Sequence, residues 1–474
     1  YGNISEFQKI PLDNVKDIGC GLYHLMVILN DGTLWGTGYN THGELGLGNT
    51  TGISTFEKVK NIGGKAKKVS CGDYHSIILL ENNKVYACGD CSAGQLGITD
   101  PNKNDHILYE MTDLGGIKYV SCGNQTSFLI DTFNSVSVTG YTASGELGIQ
   151  NDDGYISRFT KNNELMSVAD IHAGEYHAVA VTMDGKVKVS GSNGYGQLGL
   201  GDKGSTYEFI ELDYIDNVKS VSCGSYHTLL LLKNGMVMVT GYNSSGELGL
   251  GDTLQRKTFT LLPGINNVKK VVAGKNYTSF ILLEDGSLLS SGYNQYGQLG
   301  LGDTTNRSVF TKVEGIINVK RVSCGYNFTM LVMEDGTVKG CGLNTSYQLG
   351  LGNSTNVYEF TELPNITTAI HVGCGQYHSI ILESTGSISL AGSSSWGQLG
   401  LGNYYNAPIV LKVPTLQKNI IKYLMKSKKG DIINLSKQDV LEFIEVMDFS
   451  NSPSNINKYT KYLEESNKVI KYIE

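Results

Sequence analysis

Proline is scarce in this chain, with 7 in 474 residues, and tryptophan is scarcer still at 2. There is no basic excess: 38 Lys and Arg stand against 45 Asp and Glu, a formal net charge of -7. A protein that binds nucleic acid through phosphate contacts is expected to carry a basic face, and no stretch resembles one. No apolar run approaches the roughly 18–20 residues that cross a bilayer as a helix, so no membrane span is expected. The chain begins at Tyr1 without a charged-then-apolar leader, so its start gives no reading on whether it is cytoplasmic or secreted.

Glycine is abundant instead, at 59 residues, about double its usual ~7% share. Residues 292–303, GYNQYGQLGLGD, show where it concentrates. A run of this kind can cradle a phosphate on its backbone N–H groups, or it can punctuate a chain that turns sharply. The period decides between them. The run recurs at 38–49, 89–100, 140–151, 191–202, 241–252, 342–353 and 392–403, each copy 50 or 51 residues from the last. No enzyme needs eight phosphate cradles, and a fixed period in this range signals a solenoid, a propeller or an array.

Within one period the order is also fixed. VKKVVA (268–273) alternates and is β-branched; TSFILLE, the turn DG and SLLSSG follow, then the glycine-rich run and a more polar segment, RSVFTKV (307–313). Four short strands per unit without helices predict a β-propeller of four-stranded antiparallel blades.

The motifs KKVSCGDYHSIILL (67–80) and NGMVMVTGYNSSGELGLG (234–251), with their siblings over residues 6–413, resemble the regulator of chromosome condensation repeat. The resemblance implies a β-propeller, in that family usually of seven blades. Here the Cys-Gly turn and the glycine-rich loop each occur eight times, and a seven-bladed ring would leave three strands with raw edges. The expected fold is therefore all-β with eight blades over 1–414. FQKIPL (7–12) and PIVLKVP (408–414) are both candidates for the outer strand that closes the ring. Residues 415–474 are expected to form a small helical appendage, with Val440, Leu441, Ile444 and Met447 on one stripe.

In an antiparallel meander a-b-c-d running outward from the axis, the a–b turn and the c–d loop emerge on one face. After the turn glycine that face carries Tyr23, Tyr74, Gln125, Tyr176, Tyr226, Asn276, Asn327 and Tyr377. Ahead of the Gly-Gln/Glu-Leu-Gly element it carries His42, Ala93, Ser144, Tyr195, Ser245, Tyr296, Ser346 and Trp396, and unit seven puts Tyr347 where its siblings have Gly. Tyr and Trp are enriched at binding hot spots. Tyr195, Tyr296, Tyr347 and Trp396 vary from copy to copy and are the first candidates for partner contact. Tyr23, Tyr74, Tyr176, Tyr226 and Tyr377 repeat, which a packing role would equally produce.

Catalytic and metal readings fail on spacing. Cys20, Cys71, Cys122, Cys223, Cys324 and Cys374 share a position that elsewhere holds Ala173 and Ala273, a small buried slot near the axis. Cys88 and Cys91 form a CxxC without a second pair, and Cys88 matches Thr37, Thr139, Ser190 and Cys341 by period. His24, His75, His177, His227 and His378 fall one to a blade, too dispersed to converge on a metal, and are expected to bond within their own turns. No catalytic residue, metal or cofactor is expected.

The expected function is a non-catalytic protein–protein interaction module that binds a partner protein through its aromatic loops. The resemblance implies alternatives: nucleotide exchange on a small GTPase, chromatin docking, a part in ubiquitin ligases, plant light sensing, or secreted bacterial inhibition. Two tryptophans argue against light sensing, the acidic balance argues against chromatin docking, and no segment reads as a ligase domain. Exchange-factor activity and a secreted bacterial inhibitor or toxin-associated protein remain the alternatives. The even spacing leaves no inserted wedge for exchange.

Overall fold

The computed structural model describes residues 3–9, 12–98, 107–112 and 114–402. They form thirty-two strands in eight four-stranded antiparallel sheets, with no helix among the described residues. Blade one is Val15–Cys20, His24–Leu29, Leu34–Gly38 and Ile53–Lys58, and blades two to seven repeat that order. The eight-bladed expectation holds, and the family's usual seven does not apply.

The last blade shows how the ring closes. Ala369–Cys374, His378–Glu383 and Ile388–Ser393 take Asn3–Lys9 as their outer strand, with Ile4 opposite Gly392. The N-terminal strand closes the circle, and it begins earlier than the 7–12 segment suggested. The competing segment 408–414 and the expected helices of 415–474 lie outside the described residues.

Alternation in each strand sends apolar side chains to both sides of a blade, so every core lies between two blades. Val179, Val181, Leu198, Val218, Val221, Leu230 and Phe259 fill the space between blades four and five. Val15, Leu25, Val27, Ile380, Leu390 and Leu399 do the same across the closing seam. Each of these side chains contributes roughly 1.5–3 kcal/mol relative to exposure.

Every glycine-rich loop is anchored by a wholly buried leucine, Leu299 in blade six. Asn294 braces that loop: its Oδ1 accepts Leu299 N–H at 2.9 Å, and its Nδ2 donates to the Asp303 carbonyl at 2.9 Å. Tyr296 N–H is taken by Gln298 Oε1 at 3.0 Å, and Gly300 N–H by the Gly297 carbonyl at 3.0 Å. These amides are spent inside the loop, so it is a turn and not a phosphate cradle. A Cβ on Gly300 would meet the Phe360 ring of blade seven at 2.4 Å, and its φ is +72°, so only glycine lets the blades approach this closely.

Candidate functional site

The a–b turn and c–d loop of each blade share a face because the residue after strand c hydrogen-bonds back to the turn. Tyr39 N–H reaches the Tyr23 carbonyl at 3.0 Å, and Tyr242 N–H reaches the Tyr226 carbonyl at 2.9 Å. Each pairing sets two side chains next to each other above the blade edge, and neighbouring blades add a third.

Two aromatic banks result. In the first, Trp396 of blade eight packs edge-on against Tyr39 of blade one, centroids 5.0 Å apart. Tyr23 lies 6.2 Å from that tryptophan, and Tyr74 and His42 complete the group, with rings 5.7 Å apart. In the second, Tyr195 of blade four stands edge-on to Tyr242 at 5.0 Å and to Tyr226 at 5.3 Å, both of blade five. Tyr226 stacks between Tyr176 and Tyr277 at 6.2 Å on either side. The outermost rings stay open to solvent: Trp396 is 47% exposed and Tyr195 42%. Burial, followed by the Glu175 carboxylate and then the neighbouring tyrosines, pushes the Tyr226 hydroxyl up, so it stays a neutral donor.

Blade three interrupts the aromatic rim, because Gln125 and Thr126 stand where five of the other blades have Tyr and His. The gap is a cavity of about 260 Å³ lined by Asp73, Tyr74, Gln125, Tyr141, Glu146 and Glu175, with three carboxylates among them. Burial pushes the Glu146 carboxyl up to about 7. Across the mouth of the axial channel, Lys275 of blade six reaches Asp73 of blade two at 3.7 Å and Asn124 of blade three at 2.9 Å.

The structure brings Tyr23, Tyr74 and Trp396 together in the first bank and Tyr176, Tyr195 and Tyr226 in the second. Tyr377 pairs with Tyr326 at 6.0 Å and Tyr296 with Tyr293 at 6.4 Å, outside both banks. Tyr347 is half-buried at φ +62°, with no ring partner among the described residues. Elsewhere a Cβ at its position would strike the outer strand of the next blade, as at Gly246, 2.4 Å from the Arg307 carbonyl. Tyr347 faces the blade whose outer strand is the N-terminal one, the single seam where a side chain at this position is found.

Four sequence expectations are corrected. Unit six has one extra turn residue, so Tyr277, whose carbonyl accepts Tyr293 N–H at 2.9 Å, takes the tyrosine position assigned to Asn276. Tyr39, Tyr242 and Tyr277 belong to the banks beyond the residues expected from the sequence; the recurrent Gly-Tyr-Asn at the start of the loop is the signal for the first two. Four of the five histidines bond to the next blade and not within their own turns, as His75 Nε2 lies 2.9 Å from Ser127 Oγ, and His378 has no such partner. Their rings cover the glycine of their own turn, where a Cβ on Gly72 would meet His75 at 2.1 Å. The ring of cysteines does lie near the axis. Cys122 Sγ donates to the Ser70 carbonyl of the preceding blade at 3.3 Å, and burial pushes its thiol up to about 12. Cys88 Sγ donates to the Glu44 carbonyl at 3.2 Å, as Thr139 Oγ1 does to the Gly94 carbonyl at 2.8 Å.

The fourth correction concerns charge. The opposite face does gather a basic centre, because the second residue of six inner strands is an exposed lysine: Lys16, Lys67, Lys118, Lys219, Lys269 and Lys320. The third position adds Lys68, Lys270 and Arg321 against Asp17 and Asp170.

Two models of the regulator of chromosome condensation (RCC1) repeat match this chain, one at 31–79, 184–231, 285–332 and 335–382. The other matches at 15–44, 66–95, 168–197, 218–247, 268–298 and 319–348, and together they cover more than half of the chain. The ultraviolet-B receptor of Arabidopsis thaliana is 29% identical over 46% of this chain and 51% of its own length. A probable E3 ubiquitin-protein ligase of Homo sapiens is 32% identical over 39% of this chain and 23% of its own length. The chain thus spans about half or less of these curated relatives. Among solved structures, Prp20p of Saccharomyces cerevisiae, described with its binding properties to Gsp1p and histones, superposes with a TM-score of 0.58 at 18% identity, covering 89% of this chain and 97% of that one. Human WBSCR16 superposes at 0.55 with 21% identity, covering 81% and 88%.

Proposed function

The chain belongs to the regulator of chromosome condensation (RCC1) repeat family, and from that premise we propose that it is a non-catalytic module that holds a partner protein on its aromatic loop face. The observation that carries this reading is the pair of aromatic banks separated by the acidic notch of blade three. Rigid, already packed rings offer contact area at little entropic cost, and their exposed edges provide what hot spots use. The notch carboxylates Glu175 and Glu146 suit a Lys or Arg side chain placed between two apolar contacts. The partner surface expected is therefore a basic residue flanked by apolar ones.

The test is quantitative binding to candidate partners by the full chain and by variants. Tyr195→Ala together with Trp396→Ala is expected to weaken binding at least about a hundredfold, as two hot-spot truncations of ~2 kcal/mol each would. Unchanged affinity in a folded variant overturns the aromatic-face reading. Nucleotide release from small GTPases is measured in parallel, since the fold is shared with Prp20p; accelerated release replaces the non-catalytic reading with an exchange factor. The inhibitor-type alternative draws no support from the Arabidopsis thaliana and Homo sapiens relatives.

A further inference from the structure

The inner strands enter from the face opposite the aromatic loops, and their third residues converge on the axis at that entrance. Charges from several blades meet there: Lys270 of blade six feels Arg321 of blade seven and Asp170 of blade four. His371 of blade eight feels Arg321, Asp17, Lys68 and Lys270. Lys270 and Arg321 are open to channel water, and His371 is half-buried with its Nδ1 sealed off and unpartnered.

The two carboxylates on this ring are committed elsewhere. Asp17 Oδ2 accepts the Val69 N–H of the next blade at 3.0 Å, and Asp170 Oδ2 accepts the Val221 N–H at 3.4 Å. They satisfy amides on the free edge of the neighbouring inner strand. Among the described residues, Lys68, Lys270 and Arg321 form no ion pair. Both carboxylates keep their charge while accepting these amides, so the ring sets three cations against two anions, and the excess positive charge at the channel entrance is a standing cost. A bound anion would turn that cost into affinity.

We propose that this channel entrance, built by Lys68, Lys270 and Arg321 with His371 beside them, binds a compact anion carrying two or more phosphate groups. The guanidinium fork of Arg321 matches two phosphate oxygens at once, and the lysines act as point charges. Lys16 and Lys269 are paired with Glu81 and Glu334, and the remaining exposed lysines around the entrance, Lys67, Lys118, Lys219 and Lys320, steer anions inward. Further out, the b–c turns present the exposed carboxylates Asp31, Asp184, Asp285 and Asp335, which disfavour an extended polyanion such as duplex DNA. A small ligand on the axis meets three cations against two carboxylates that already accept backbone amides.

Calorimetric titration of the full chain with inorganic pyrophosphate at low salt tests this site. One site per chain is expected, with a thermal midpoint raised beyond that in sodium chloride of matched ionic strength. Lys270→Met with Arg321→Met is expected to weaken binding at least about tenfold, since two charge-assisted contacts are lost. Without ligand this variant should be no less stable than the parent, because like charges have been removed; should it not fold, Arg321→Gln carries the same measurement. Tyr195→Ala with Trp396→Ala should leave pyrophosphate binding unchanged, which separates this site from the partner-binding face. No heat beyond the salt control, equal binding by the channel variant, or loss in the aromatic variant overturns the proposal. So does tighter binding of a short DNA duplex that Lys219→Gln with Lys320→Gln abolishes, which would make the face a nucleic-acid surface.

Discussion

His24 Nε2 lies 2.9 Å from Ser76 Oγ, fifty-two residues later and one blade on. Ser76 Oγ in turn donates to the Glu44 carbonyl of the first blade at 3.1 Å. With its one proton spent there, the hydroxyl can only accept from the imidazole, which fixes the neutral Nε2–H tautomer. The same relay runs from His75 to Ser127 and from His177 to Thr228, whose hydroxyls donate to the Gln95 and Gln197 carbonyls at 2.8 Å, and His227 Nε2 lies 3.0 Å from Ser279 Oγ. It stitches the blades together with buried polar bonds that no single blade could satisfy.

Ser76→Ala is expected to cost about 1–3 kcal/mol, because it leaves a buried imidazole donor unpaired. His378 is the contrasting case: the next blade offers Leu25 in the serine position, and both ring nitrogens of His378 are buried without a partner. Unit seven already carries Phe328 at the histidine position. His378→Phe should therefore be neutral or stabilising where His227→Phe destabilises. Urea unfolding of the three variants decides it; a costly His378→Phe would remove the argument.

Acid sensitivity follows from the same histidines. Burial lowers His24 and His177 to about 3, and His75, His227 and His378 to about 4, against 6.5 unfolded. Below pH 6.5 the unfolded chain binds protons that the native one refuses, so stability falls with pH toward these folded values. Each histidine accounts for about 2 kcal/mol at pH 5. Glu146 and Glu247 act oppositely, being raised by burial to about 7, and gain stability as pH falls from there toward 4.5; burial raises Glu44 in the same direction. Five against three leaves a net loss, and His378→Phe should flatten the slope of stability against pH between 4.5 and 6.5 by one proton. An unchanged slope in that variant would contradict the buried neutral state.

The blades were legible in the sequence because alternation, turn glycines and a 50-residue period all act locally. The count of eight followed from repeated motifs, and so did the sharing of a face by two loops. What stayed hidden was everything made between units. Lys68, Lys270 and Arg321 stand 51 to 253 residues apart, so no local stretch looks basic. Tyr277 was obscured by one inserted residue, and the His–Ser relay by the fact that its partners belong to different repeats.

Tyr347 and Gly297 occupy the same loop position in adjacent units, at φ +62° and +81°. A Cβ on Gly297 would meet the Cα of Tyr358 at 2.8 Å and the Val357 carbonyl at 3.1 Å, backbone that cannot move alone. Gly297→Ala is expected to cost at least about 1–3 kcal/mol through strain and displacement of the outer strand. Tyr347→Gly should gain up to about 1 kcal/mol by relieving a left-handed non-glycine residue. Thermal denaturation of both compares the two seams; equal effects would mean that they are built alike.

The Glu/Gln alternation in the loops supplies a further contrast. Glu247 Oε2 accepts Ser245 N–H at 2.9 Å, as Gln298 Oε1 accepts Tyr296 N–H at 3.0 Å, while Glu247 Oε1 is buried without a partner. Burial raises the Glu247 carboxyl to about 7 from 4.5, so the native state prefers it protonated. Its cost is absent below pH 4.5, grows as pH rises and is complete above pH 7, at up to about 3 kcal/mol. Glu247→Gln keeps the accepting oxygen and removes the charge. It should stabilise the propeller at pH 8 by roughly that amount and leave it nearly unchanged at pH 4.5, read from unfolding midpoints at the two pH values. A gain of equal size at both would show that packing, not ionisation, distinguishes the two side chains.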